Sequence, residues 1–320
     1  MAVFDAFHGD ADGICGLHQW RLAFPAPSVT LVTGVKRDVA LLARVHGTDA
    51  DLTVFDVSFD KNRASVLRLL QHGCNITYID HHFSGDIPTH PNLTVHIDSA
   101  PDQCAALIVN RLLHGRFFSW AAVGAFGDNL HQEAEKLCRD AGMDHADTRI
   151  LAEIGELLNY NAYGWEEGDL HIHPAALYQE IHHFVEPFAF VETAPVFRRL
   201  REGYAADRDA AADVRIDRVP AGRVVYFPDA PWARRFSGVF ANEKAREEPS
   251  QAHALLTACP GGGYRVSVRA PLATGTGAVG LCRAFATGGG REKAAGINLL
   301  PEDHLDDFIN AFNQTFSVSR

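Results

Sequence analysis

Four short stations of acidic residues and histidine lie in the first 130 residues, each close behind a run that reads as a buried strand. They are His8-Gly9-Asp10-Ala11-Asp12-Gly13, Asp56 in Val54-Phe55-Asp56-Val57-Ser58, the triplet Asp80-His81-His82, and Gly127-Asp128-Asn129. Carboxylates are hard oxygen donors, and imidazoles bias such a set from magnesium towards manganese. So many donors suit two metals better than one, and two metals are the equipment of hydrolases that cleave phosphoryl bonds. Each station also has an ordinary reading. Asp10 and Asp12 open a probable helix, where aspartate is usually a cap. Asp56 could cap the next helix, although Ser58 or Asp60 is better placed, and Gly127-Asp128-Asn129 between two helices reads as a plain loop. It is their succession that argues for a metal site.

The elements that must carry these groups follow from the pattern. Residues 2–7, 28–33, 52–55, 75–79 and 93–97 are strand-like, and helix-sized pieces at 13–23, 38–45, 61–72 and 102–113 lie between them. That alternation predicts an α/β fold whose mostly parallel sheet carries helices on both faces. Ligands of such sheets collect at the carboxyl ends of the strands, where His8, Asp10, Asp56 and Asp80 fall. From about 118 to 185 the pattern is helical. A charged, alanine-rich stretch with two prolines at about 186–210 reads as a linker with a connecting helix. A smaller α/β unit follows, with strands at 223–227, 252–258 and 264–268 and helices at 232–246, 277–286 and 303–316.

The composition narrows the class. A hydrophobic share of 47% with 22% charged residues is that of a soluble globular protein, and a net charge of −11 argues against a generally basic nucleic-acid wrapper. Six scattered cysteines without a Cys-x-x-Cys pair point to reduced thiols rather than a disulfide framework. The chain carries no apolar run of spanning length, and residues 3–7 read as a strand rather than a leader, so the expected location is cytoplasmic with no membrane partner.

Asp80-His81-His82, with the upstream His-x-Asp-x-Asp-Gly and two isolated aspartates, resembles the DHH phosphoesterase superfamily. Gly288-Gly289-Gly290-Arg291-Glu292-Lys293-Ala294-Ala295-Gly296 is similar to the Gly-Gly-Gly-His-x-x-Ala-Ala-Gly element of its DHHA1 substrate domain. The resemblance spans the whole chain in the right order. The two-residue step from His8 to Asp10 looks like the RecJ-like and oligoribonuclease-like branch.

The resemblance implies a DHH metal-binding domain over 1–190 and a DHHA1-like substrate domain over 191–320, with the active site in a cleft between two lobes. It implies two divalent ions, Mn2+ or Mg2+, held by His8, Asp10, Asp12, Asp56, His81 and Asp128, with Asp56 the bridge. His82 would face the scissile phosphate, and Asp80 would orient an imidazole from behind. Arg269, Gly288, Gly289, Gly290 and Arg291 would bind substrate, the glycines as a phosphate cradle, where a flexible loop is their ordinary reading. Arg291 stands where the family usually has histidine; it can grip a phosphate bidentately but cannot donate a proton near neutral pH.

The expected activity is therefore a phosphodiesterase that uses a two-metal-activated water. Its expected partners are short oligonucleotides or cyclic and linear dinucleotides, with room for a homodimer. Three alternatives stand beside it: a polyphosphatase or small phosphoanhydride hydrolase, a single-strand-specific exonuclease, and a silent nucleotide-binding module. The glycines at 261–263 read as a hairpin turn, His171, His173, His182 and His183 as scattered structural histidines, and the aromatics at 159–165 as packing.

Overall fold

The computed structural model describes residues 2–317 and divides them into two compact units, one running to Gly203 and the other starting at Tyr204. The boundary falls within a helix, Pro195–Ala210.

The first unit is built on β1 (Val3–Phe7), α1 (Ala11–Ala23), β2 (Thr30–Val32), β3 (Asp51–Phe55), α2 (Phe59–Gln71), β4 (Asn75–Asp80), β5 (Leu93–Ile97) and α3 (Ala105–Leu112). Six helices follow: α4 (Phe118–Gly127), α5 (His131–Asp140), α6 (His145–Asn161), α7 (Pro174–Ile181), α8 (Pro187–Thr193) and α9 (Pro195–Ala210). The strands form one parallel sheet in the order β2-β1-β3-β4-β5. Side chains alternate across a strand, and both faces are covered. Phe4, Ala6, Leu52, Val54 and Tyr78 share a core with Val66 and Leu69 of α2. The alternate residues meet α1: Asp5 takes Arg21 in a two-pronged ion pair, Nε to Oδ2 at 2.7 Å, and Trp20 and Phe55 meet edge to face with ring centroids 6.3 Å apart.

The expected helix over 38–45 shrinks to a single tight turn, Leu41–Arg44. Asn62 of α2 explains the difference. Its Oδ1 accepts the Leu42 N–H at 3.1 Å and its Nδ2 donates to the Val39 carbonyl at 2.7 Å. Backbone groups that a helix would pair internally are thus spent on a side chain.

The second unit contains β6 (Arg215–Val219), β7 (Gly222–Phe227), α10 (Pro231–Glu247), β8 (Ala252–Ala258), β9 (Tyr264–Arg269), α11 (Ala278–Arg283), β10 (Gly288–Gly290), β11 (Ala294–Leu300) and α12 (Leu305–Phe316). They form a mixed six-stranded sheet, β10-β11-β9-β8-β7-β6. Leu256, Val266, Val268 and Ile297 bury one face against Phe308 and Phe312 of α12. The glycines at 261–263 make the turn of the β8–β9 hairpin, closed by a hydrogen bond from Cys259 N to the Gly263 carbonyl at 3.0 Å.

The glycine run at 288–290 is not a loop: it forms the edge strand β10, paired antiparallel with β11. A Cβ on Gly288 would lie 1.7 Å from the Cys282 carbonyl oxygen, so glycine is required for the end of α11 to pack on this strand. Three glycines in a row carry no side-chain alternation, which is why the strand was invisible in the sequence.

All six cysteines are free thiols. No helix among the described residues is long and apolar enough to cross a membrane.

Candidate metal centre

Register alone brings three of the four stations together. Phe7 of β1 pairs with Phe55 of β3, and Phe55 with Ile79 of β4, so His8, Asp56 and Asp80 follow at the same height on three adjacent strands. Two hydrogen bonds continue the ladder at the rim, His8 N to the Phe55 carbonyl at 3.2 Å and Asp56 N to the Ile79 carbonyl at 3.0 Å. The strand order reverses direction between β1 and β3, the switch point at which such sheets leave a crevice.

Asp56 occupies the centre. Its Oδ2 lies 3.3 Å from His8 Nδ1, and its Oδ1 lies 3.3 Å from His81 Nε2 and 3.8 Å from His82 Nδ1. The residue has a φ of +55°, a left-handed conformation uncommon for anything but glycine, asparagine and aspartate. Backbone strain is thus spent where the chain turns off β3 to aim this carboxylate.

Asp10 caps α1, accepting from Gly13 N at 3.2 Å through Oδ1, while its Oδ2 lies 3.7 Å from His8 Nδ1. The cap and the ligand reading therefore coexist in one side chain. Asp12 receives the first amides of α3, Ala105 N at 2.8 Å and Ala106 N at 2.7 Å, and its Oδ2 stands 4.0 Å from His81 Nε2. Asp128 ends α4 and brings Oδ2 to 3.8 Å from the same nitrogen. Gly127 makes that approach possible: a Cβ there would come within 2.2 Å of Ala11 Cβ, so α4 could not close on α1. Gly127-Asp128-Asn129 taken alone reads as a plain loop, and it is the order of the other motifs that marks Asp128 in the sequence.

Asp80 is fully buried and serves three donors. His82 Nδ1 lies 2.7 Å from Oδ1, His81 N donates to the same oxygen at 2.8 Å, and Phe59 N donates to Oδ2 at 3.3 Å. It therefore orients His82, shapes the His81-His82 turn and caps α2 at once.

Charge is poorly balanced in this rim. Burial, reinforced by Asp56, Asp128 and Asp10, pushes the Asp12 carboxyl up to about 8. Burial likewise raises Asp128 to about 6; Lys36 opposes the shift, and Asp56 and Asp10 add to it. Burial disfavours the imidazolium of His8, yet Asp10 and Asp56 lift it to about 9; His81, also opposed by burial, is lifted to about 10 by Asp56, Asp12 and Asp128. Asp56 is the reverse case, since burial is overcome by the His8 and His81 hydrogen bonds and its carboxyl falls well below the usual range.

Among the described residues, three sets of side chains place one donor atom each within 4.8 Å of one another: His8, Asp10 and Asp56; Asp56, His81 and His82; and Asp12, His81 and Asp128. All are oxygen and imidazole nitrogen donors, and the crowded, partly protonated carboxylates are what a divalent cation would relieve. The donor set suits hard or borderline divalent cations, which these carboxylates and imidazoles would hold.

Lys36, just past β2, was missed in the sequence. Its Nζ donates to Asp10 Oδ2 at 2.6 Å and to Asn159 Oδ1 at 3.0 Å, and lies 4.0 Å from Asp128 Oδ1. Lys36 stands four residues beyond β2, behind Thr33, so its position at a strand end is a weaker signal than that of His8, Asp56 or Asp80.

The histidines at 171, 173 and 182 have structural partners within the first unit. His171 pairs with the Tyr160 hydroxyl at 2.7 Å, His173 caps α7, and His182 lies 3.3 Å from the Tyr178 hydroxyl. In the second unit, Arg269 at the end of β9 donates to Asn242 Oδ1 at 3.0 Å and Ser267 Oγ at 2.9 Å. Arg291 follows the edge strand β10, and its N–H donates to the Ala294 carbonyl at 2.9 Å.

No protein-family model matches the chain, and no curated protein matches it in sequence. Solved structures do match it. The exonuclease RecJ bound to manganese superposes with a TM-score of 0.59 at 17% identity, over 100% of this chain and 91% of that one. RecJ in complex with Mn2+ from Thermus thermophilus gives 0.53 at 18% identity; the match covers 98% of this chain and 51% of RecJ, so this chain spans about half the length of the Thermus protein. PggH, a pGpG-specific phosphodiesterase from Vibrio cholerae, gives 0.55 at 12% identity over 98% of this chain and 99% of that one. These likenesses establish the fold: the chain has the two-unit α/β architecture of these proteins, in agreement with the superfamily resemblance of its motifs.

Proposed function

We propose that this protein is a divalent-metal-dependent phosphoesterase of the DHH type, acting on phosphodiester bonds of small nucleotide substrates such as short oligonucleotides or dinucleotides. The observation that carries the reading is the position of Asp56, whose two oxygens belong to separate donor sets. Two divalent ions, when bound, would supply an activated water at neutral pH and neutralise the phosphoryl oxygens.

The chain's own residues would do the rest. His8, Asp10, Asp12, Asp56, His81 and Asp128 would hold the ions, with Mn2+ favoured over Mg2+ by the imidazoles. His82, fixed through Nδ1 by Asp80, would offer its other ring nitrogen to the scissile phosphate. Arg269 and Arg291 would grip the non-reacting end of the substrate beside the glycine strand β10, whose Gly288 amide is already taken by the Phe285 carbonyl at 2.9 Å. The fold shared with a manganese-bound exonuclease and a pGpG-specific phosphodiesterase supports this reading, and the net charge of −11 favours small substrates over long strands.

The test is direct. Purified protein with Mn2+ is incubated with linear and cyclic dinucleotides, 3′,5′-bisphosphorylated adenosine, polyphosphate and a labelled single-stranded oligomer. EDTA-sensitive cleavage of a dinucleotide is the expected result. Turnover confined to polyphosphate would replace this reading with the phosphoanhydride alternative, and binding without any turnover would leave a silent module.

A further inference from the structure

The two donor sets at the ends of the cluster are chemically alike, each with two carboxylates and one imidazole, but one positive charge stands closer to the first than to the second. Lys36 Nζ is 2.6 Å from Asp10 Oδ2, against 4.0 Å from Asp128 Oδ1. Resting on the metal-dependent reading above, we propose that Lys36 is a tethered counter-ion that makes the two cation sites unequal. It weakens the site formed by His8, Asp10 and Asp56, so that the site formed by Asp12, His81 and Asp128 fills first.

The tether is what separates Lys36 from a mobile surface lysine, which would swing away when a metal arrives. Its backbone N–H donates to the Ala162 carbonyl at 2.9 Å, stitching the β2 loop to the end of α6. Its ammonium is held at 3.0 Å by Asn159 Oδ1 and lies 5.7 Å from the centroid of the Tyr163 ring, and Asn159 Nδ2 in turn donates to the Tyr163 hydroxyl at 3.0 Å. Side chain, carbonyl and ring come from one stretch of chain and converge on this lysine.

Asp10 has little freedom to answer. Oδ1 is committed to Gly13 N at the head of α1, so Oδ2, the oxygen facing His8, must be shared between Lys36 and any ion in that set. Asp12, by contrast, is held by two uncharged backbone amides. Two cations competing for one buried carboxylate oxygen repel without much screening. The site at Asp10 should therefore need a higher metal concentration, and the enzyme should become active only when that second ion binds.

Isothermal titration of Mn2+ into the metal-stripped full chain tests this without reference to activity. Wild type is expected to show a tight and a weak class of ion. Lys36→Met should tighten the weak class by about ten- to hundred-fold and the tight class by clearly less, since the ammonium stands farther from Asp128 than from Asp10. Lys36→Arg, which keeps the charge, should preserve the wild-type order. If Lys36→Met does not fold, Lys36→Gln keeps a hydrogen-bonding side chain without the charge and should show the same tightening. A wild type that takes up one ion beside a Lys36→Met variant that takes up two is the same result in its extreme form. Two-site binding that is identical in wild type and variant, or weaker in the variant, overturns the proposal and leaves the metal-dependent reading standing. No Mn2+ uptake by either protein overturns both.

Discussion

Asp56 Oδ1 lies 3.3 Å from His81 Nε2, while the other oxygen of the same carboxylate lies 3.3 Å from His8 Nδ1. One side chain thereby joins β1 to the turn after β4 across the rim of the sheet. Asp56→Asn should remove that junction without disturbing the backbone, since asparagine tolerates the left-handed φ that aspartate adopts here. Altering a partner behind a metal ligand already costs roughly ten- to hundred-fold in affinity, so loss of a shared ligand should cost on the order of a hundred-fold or more, with turnover falling at least as far. Metal content by mass spectrometry and turnover, measured on a variant with wild-type circular dichroism, decide it. Full metal content in Asp56→Asn would rule out a bridging role.

The two histidines of the triplet should separate. His81 reaches Asp12, Asp56 and Asp128, whereas His82 is bound at Nδ1 by Asp80. His81→Ala should lower metal occupancy. His82→Ala should retain most of the metal and slow the chemical step by roughly a hundred-fold, the lower end of what one positioned acid–base group contributes. Equal metal loss in both variants would show that the division of labour is wrong.

The metal-free protein should lose stability as pH rises. His8 at about 9 and His81 at about 10 both sit above the unfolded histidine value, so folding binds their protons more tightly. That contribution is complete below about pH 6.5 and disappears as pH climbs through those two values. Asp12, at about 8 in the folded state, adds a loss of the same sign that begins near the unfolded carboxylate value, about 3.9. Asp56 runs the other way, stabilising above the unfolded carboxylate value and losing that contribution only in acid below it. In EDTA the melting temperature should therefore fall between about pH 6.5 and 10. Saturating Mn2+ should flatten the decline by supplying the positive charge itself. A metal-free melting temperature that is level or rising over that window contradicts the electrostatics described here.

In the second unit, Arg291→Ala should raise KM by about ten- to hundred-fold with metal content unchanged, as expected for a bidentate contact worth about 1.5–3 kcal/mol in ground and transition states alike. Arg291→Lys should recover part of it, because an ammonium lacks the planar fork. Arg291→His tests the exchange of the usual family residue directly. An unchanged KM in Arg291→Ala for the preferred substrate would mean that the β10 edge does not hold it.

The donor atoms were legible in the sequence because short buried strands of a parallel sheet announce themselves, and whatever follows each one must emerge at the same rim. His8, Asp56 and Asp80 are brought together by that logic alone. Hydrophobic alternation likewise marked most of the elements, since it records which face of a strand or helix meets a core. Three things have physical causes that lie in tertiary contact. Asp128 joins the cluster because Gly127 lets α4 close on α1, a helix–helix approach that no local pattern encodes. Gly288–Gly290 form a strand because β11 offers them an edge, although glycines have no side-chain periodicity to read. Lys36 enters the centre because α6 and the turn after it, more than a hundred residues later, supply the asparagine, the carbonyl and the ring that hold it there. Sequence order fixes which chemistry a strand end carries, but the packing of distant helices decides which charges it meets.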